Sequence, residues 1–317
     1  MIKVLKKATC PSSETEFFHC CFEVYNEKEI LAKISLYINP YHTIELEQAL
    51  TIGNFECVND QGVFNILMDA VVKEAKEVNL SNIIGPINGN TWNEYRLVST
   101  SNAQPFLLDV DTPQYYIDLY KGYGFETLAQ YYSEQAENLT DNWEKNKPKY
   151  EAFIEQGVSF HEFDMENATR ELEGLAELCN ASFSNNFLFS PITKEAFVMK
   201  MMPSLSIMNP RYTLVAKVDN RPVGFIFCYQ NLHDKVDKTI VVKTLARDLD
   251  DQYKGMGNVL SSLVMKNVIE DDFTKGIHAL MLISNSSTYI SSSFAGNFLR
   301  SYELLQLKLN NKSWIQK

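Results

Sequence analysis

The sequence predicts an α/β fold (α+β in organisation), with mixed sheets in two similar halves. Three observations carry this reading. β-Branched and aromatic runs alternate with amphipathic helical segments along the chain; one strand-loop-helix unit occurs twice; and a polar stretch containing Pro148 separates the two occurrences.

In chain order, residues 1–7 alternate apolar and basic side chains and read as a strand, and residues 17–25 and 30–38 form a hairpin across Asn26-Glu27-Lys28-Glu29. A strand over 49–57 leads to Gly62 and to a helix with Ile66, Leu67, Ala70, Val71 and Ala75 on one face. The strand at 82–87 runs into Gly85-Pro86-Ile87-Asn88-Gly89-Asn90, which breaks regular structure. A helix over 113–119 stops at Gly122 and Gly124. Residues 126–157 are polar and read as a partly helical connector. The second half opens with a strand at 158–163, then a helix capped by Asp164 and another helix at 194–202. A hairpin pairs 212–218 with 223–229, and a strand at 239–246 feeds the loop Gln252-Tyr253-Lys254-Gly255-Met256-Gly257-Asn258. The helix after it shows Val259, Leu260, Leu263, Val264 and Val268 on one face. A strand at 277–283 follows, and 294–305 reads as a final helix with a short last strand.

Composition bounds the function. With 317 residues, 45% hydrophobic and 22% charged, the chain supports two domains with substantial cores and is not intrinsically disordered. The formal charge of −11 argues against sequence-independent nucleic-acid binding and favours a cationic or amine substrate. No run approaches the roughly 20 apolar residues of a membrane span, and residues 1–7 lack a signal-peptide core. The cysteines Cys10, Cys20, Cys21, Cys57, Cys179 and Cys228 form no C-x-x-C pair, which fits a reduced, cytoplasmic protein. His19, His42, His161 and His233 are isolated, so no metal is expected.

Placing Gly62 on Gly255, an offset of 193 residues, lays the first helix stripe on the second: Ile66 on Val259, Leu67 on Leu260, Ala70 on Leu263, Val71 on Val264, Ala75 on Val268. Asn65 meets Asn258 and Thr51 meets Thr244, which helical spacing alone does not require. The loops differ. Q-x-x-G-x-G at a strand-to-helix junction frees backbone N–H groups for an anion at the positive end of a helix. In the first half Phe64 replaces the second glycine and denies a phosphate that close approach.

A hairpin, a strand, a Q-x-x-G-x-G loop opening a helix and a following strand resemble the GNAT superfamily of acyl-CoA-dependent N-acyltransferases. The chain resembles a tandem of two such domains: an abbreviated, degenerate one at 1–130, a connector at 131–157, and one with an intact loop at 158–317. The first half shows the family's post-strand turn at Gly85-Pro86-Ile87-Asn88 and its closing Y-x-x-x-G-F signature at Tyr120-Lys121-Gly122-Tyr123-Gly124-Phe125. It has too few residues before Phe17 for the usual two helices.

The resemblance implies transfer of an acyl group from acetyl-CoA, or another acyl-CoA, to a small-molecule or peptide amine. Gln252, Lys254, Gly255, Met256, Gly257 and Asn258 would hold the pyrophosphate, and Leu245, Ala246 and Arg247 the pantetheine arm through main-chain groups. Asn285 is a further cofactor contact or a turn-forming residue. The thiolate-protonating Tyr survives as Tyr120 in the first half, whereas Phe298 stands at that place in the second, with Tyr302 one helical turn away as substitute. His278 is a candidate base or a buried structural histidine. Tyr131, Tyr132 and Trp143 are candidates for a substrate groove. Two alternatives accompany this reading: an acyl-CoA-binding module without turnover or a scaffold of two degenerate copies, and an aminoacyl or long-chain acyl transferase on the same fold.

Overall fold

The computed structural model describes residues 2–9, 16–283 and 296–309. In the first half, β1 (Lys3–Lys7), β2 (Phe18–Tyr25), β3 (Ile30–Tyr37) and β5 (Glu47–Cys57) form an antiparallel meander, with β4 (Thr43–Ile44) folded onto β5. Helix α1 (Gln61–Glu77) then crosses over to β6 (Asn82–Gly85), which lies parallel to β5. Asp60 starts α1, its carboxylate accepting from Val63 N–H at 3.0 Å. Next come β7 (Leu97–Ser101), α2 (Tyr115–Tyr123), β8 (Glu126–Ala136) and α3 (Trp143–Glu155); Gly124, at φ +110°, ends α2.

The second half repeats the plan with β9 (Ser159–Glu162), α4 (Ala168–Phe183), α5 (Lys194–Met201), β10 (Thr213–Val218), β11 (Arg221–Gln230), β12 (Thr239–Arg247), α6 (Met256–Glu270), β13 (Lys275–Leu282) and β14 (Asn297–Lys308). The unit β5-α1-β6 recurs as β12-α6-β13, each a parallel pair joined by a helix. Residues 8–17 join β1 to β2, whereas the corresponding link from β9 to β10 carries α4 and α5, so the first half lacks room for that helix pair.

The strands of the described residues join one sheet, whose main order is β1-β2-β3-β5-β6-β14-β8-β13-β12-β11-β10-β9. Its centre is exchanged. β8 leaves the first half to pair with β13 of the second, while β14 returns to pair with β6 of the first. The two travelling strands also pair with each other, from Asn297↔Gln135 to Gln306↔Glu126. Apolar burial holds the helices to the sheet. Phe64, Leu67, Val71 and Ala75 of α1 pack on Ile34, Leu36, Leu50 and Ile52. Met256, Val259, Leu260 and Val264 of α6 cover one face of β10 to β12, and Leu172, Leu175 and Cys179 of α4 cover the other. Each buried Val, Leu, Ile, Phe or Met among these contributes about 1.5–3 kcal/mol.

Three expectations are corrected. Within the expected helix at 294–305, the described residues 297–305 are strand: β14 begins at Asn297 and is buried along most of its length between β6, β7 and β8. The start of the polar connector is the strand β8, and only α3 is helical. Asp164 accepts from Glu166 and Asn167 N–H in the turn before α4, whose cap residue Asn167 makes no side-chain cap.

Candidate functional site

β12 and β13 are parallel neighbours over four register pairs, from Thr239↔Lys275 to Val242↔His278. They then part, although β12 continues to Arg247 and β13 to Leu282. The reason lies on the other side of β12. Phe227 pairs with Thr244 and Cys228 with Val242, which leaves Lys243 as an extra residue, a β-bulge that turns the strand away. β13 is irregular at the same level: its register with β8 slips between His278 and Met281, and Leu280 has φ +59°. The sheet therefore opens as a wedge beyond Val242 and His278.

The chain leaves β12 through a 3-10 turn at Asp251–Tyr253 and reaches Gly255, φ +95°, which precedes α6 without any side-chain cap. The positive φ is one that glycine adopts without strain. Asn258 N–H donates to Gly255 O, so the amides of Met256 and Gly257 occupy the first two helical positions, which have no intrahelical acceptor. The Met256 side chain turns inward and is fully buried; a Cβ on Gly224 would stand 2.7 Å from its Cγ. Lys254 and Asn258 are exposed, while Gln252 is committed elsewhere, its N–H and Nε2 donating to Asp250 at 3.0 and 3.1 Å. Sequence reasoning missed Lys149 of α3, whose aliphatic chain lies 3.4 Å from where a Cβ on Gly255 would be.

Of the residues expected along the pantetheine arm, Leu245 is half-buried and Ala246 is buried in the core. The Arg247 N–H already donates to Ser182 Oγ at 3.0 Å, so its main chain offers no free donor there. Asn285 lies outside the described residues.

His278 and Lys243 flank the wedge. Burial pulls the His278 imidazole down to about 4, and burial together with the nearby Arg96 charge pulls Lys243 down to about 8. Lys243 Nζ donates to Leu108 O at 3.4 Å, in the first-half loop that reaches across to the second half. Tyr302 is not on a helix beside the loop but on β14, wholly buried, donating to Asp109 Oδ1 at 2.7 Å. Arg300 Nε lies 3.0 Å from Asp109 Oδ2, a contact of charges out of line for a hydrogen bond. Burial raises the Tyr302 phenol well above its usual range, and the Asp109 charge adds to this.

The first half closes its own opening. β5 and β6 pair only from Ala49↔Asn82 to Thr51↔Ile84, but Ile87 then crosses the gap, its N–H on Ile52 O. A Cβ on Gly53 would stand 2.2 Å from Ile87 O. Phe64 is buried against Tyr120, ring centroids 4.9 Å apart, and the Tyr120 hydroxyl has no hydrogen-bond partner. Tyr120, expected as a surviving acid, is therefore core. Tyr131 stacks with Arg96, and Trp143 on α3 packs against Tyr150. Contrary to the view of His19 as isolated, ligand atoms of His19, Cys20 and Glu74 lie within 4.8 Å of one another; Glu74 there binds Lys6 at 2.5 Å and His19 at 2.7 Å.

No family model matches the chain. Among solved structures, a GCN5-related glucosamine N-acetyltransferase region of a fungal multi-domain GH3 β-N-acetylglucosaminidase aligns over 92% of this chain and 33% of that one, with TM-score 0.53 and 11% identity. A GCN5-related N-acetyltransferase from Anabaena variabilis aligns over 92% and 63%, with TM-score 0.51 and 8% identity. This chain has the GNAT fold. In GNAT terms its second half holds an open wedge with an uncapped helix start, and its first half a closed wedge with a phenylalanine at that start. By sequence, a bacterial ceramide synthase of Caulobacter vibrioides is 22% identical over 186 residues, 58% of this chain and 48% of that protein. The chain thus spans about half the length of this curated relative.

Proposed function

We propose that the chain is an acyl-CoA-dependent N-acyltransferase, taking acetyl-CoA or another acyl-CoA in its second half and acting on a small-molecule or peptide amine. The observation that carries the reading is the wedge between β12 and β13 beside the uncapped start of α6. The residues fit such a cofactor. Met256 and Gly257 N–H suit a pyrophosphate at the positive end of α6, with Lys254 and Lys149 supplying charge and the free edge of β12 lying along the wedge for a pantetheine amide.

Bound acyl-CoA supplies an activated thioester. The acceptor amine forms the new C–N bond as the C–S bond breaks. Lys243, at about 8, is partly a free amine near neutral pH, and we assign it to take the amine proton and return it to the departing sulfur. His278, at about 4, is neutral but a weak base, and its place at the last β12–β13 pair suits a positioning role. Tyr302 is shut away on Asp109 and supports the wedge instead of supplying a proton.

The curated relative is named a ceramide synthase, and a ceramide is a fatty amide; this favours a long acyl chain as the second reading. Isothermal titration with acetyl-CoA, palmitoyl-CoA and free CoA separates the two by affinity. No heat at millimolar ligand, or binding untouched by Gly257→Phe, overturns both. Sustained release of CoA with an amine panel excludes a binding module without turnover.

A further inference from the structure

A second cavity lies in the first half. A cavity of about 350 Å³ opens against β2, β3 and β5 around residues 21–23, 33–35 and 54–56, and residues 94–97 and 111–113 roof it. Its volume is that of a small-ligand pocket. In β3, Ile34 and Leu36 pack with the core under α1, so strand alternation turns Ser35 to the opposite face, the one that α4 and α5 cover in the second half.

Two polar groups in this lining are buried and unsatisfied. Ser35 is fully buried and its Oγ has no partner. Arg96 is 3% exposed; its guanidinium is clamped between the rings of Tyr95 and Tyr131 at 3.7 and 3.9 Å, with one NH1 contact to Leu280 O at 3.4 Å, and its Nε has no partner. No carboxylate of the described residues forms an ion pair with it. Two aromatic faces offset part of the cost of burying a guanidinium, yet native proteins normally give such a charge an anion as well. The rim has the opposite character. Glu94 is exposed and joins no ion pair among the described residues, whereas Glu56 and Glu23 are already held by Lys33 at 2.8 Å and Lys7 at 2.6 Å.

A positive, donor-bearing floor and an unpaired carboxylate at the rim are the two ends of a complement to a zwitterion. We propose that this cavity binds a small molecule of the amino-acid class, its carboxylate on Arg96 and Ser35 and its ammonium toward Glu94. Arg96 also touches Leu280 of β13 beside the wedge, so the test is read without CoA, where it stands apart from the proposed function.

The test is thermal denaturation of the full chain with each of the twenty protein amino acids at 10 mM, followed by calorimetric titration of the best one. The parallel arms are its decarboxylated amine and its hydroxy-acid analogue. The expected result is a raised Tm and a measurable Kd for at least one amino acid, with both analogues at least tenfold weaker. Glu94→Gln, at the exposed rim, should weaken the amino acid about tenfold and leave the hydroxy acid unchanged; Ser35→Ala and Arg96→Gln should weaken both. No binding by any of the twenty, equal binding of the amine alone, or a folded Glu94→Gln protein with unchanged affinity overturns the proposal.

Discussion

The hydroxyl of Tyr302, in β14, donates to Oδ1 of Asp109, in a first-half loop, at 2.7 Å, and both side chains are sealed from solvent. Burial pushes the Asp109 carboxyl above its ordinary value, while Tyr302 and Arg300 pull it back. Removing the donor leaves a buried carboxylate with fewer partners. Tyr302→Phe is expected to cost about 1.5–3 kcal/mol in urea denaturation, the range for a hydrogen bond to a charged group. Acyl transfer per folded molecule should stay within about twofold of the parent; a hundredfold loss in a stable protein would return the proton-donor role to Tyr302.

Gly53 is a place where a side chain has no room. A single methyl there meets the Ile87 backbone, at 2.2 Å from its oxygen, and backbone cannot step aside as the end of a long side chain can. Gly53→Ala is expected to destabilise by about 2 kcal/mol or more, as overpacking does. A drop in Tm of several degrees checks it; an unchanged Tm shows the closed first-half wedge to be loose.

Lys243 gives a pH signature. Its folded value, about 8, lies below the ordinary 10.5, so the unfolded chain binds the proton more tightly between those values. Stability from this group therefore rises as pH climbs from about 8 to 10.5, and below 8 the charged form is a burden. Lys243→Met should raise stability at pH 7 by about 1 kcal/mol or more, with the gain fading by pH 10. Acyl transfer by the same variant should fall at least tenfold at pH 7.5. Unchanged turnover would remove Lys243 from the chemistry.

Much of the architecture was legible because local pattern and tertiary role agree. The stripe Val259, Leu260, Val264 and Val268 is buried as its spacing requires, and Gly255 holds the positive φ that its place before a helix suggests. β14 misled because Phe298, Leu299, Tyr302 and Leu305 fall at helical spacing. As a central strand covered on both faces, it has no need of the alternation that marks a half-buried one. β8 misled for the opposite reason. Its polar residues find partners far along the chain, Thr127 on Glu303 and Ser133 beside Tyr302, and no local window reveals them. The Lys243 bulge and the unpartnered Arg96 Nε are products of pairing and burial, so they left no mark in sequence spacing.

The travelling strands impose an order on synthesis. When residues 3–136 have emerged from the ribosome, β6 has no neighbour on its outer side, because its partner comes from Asn297–Lys308, made only after β9 to β13. β8 waits as well, until β13 is complete. An open edge of this kind recruits any strand that passes, including one from a second copy. The nascent first half is thus a clasp that β14 is meant to fasten, and slow translation lengthens the time during which it stands open.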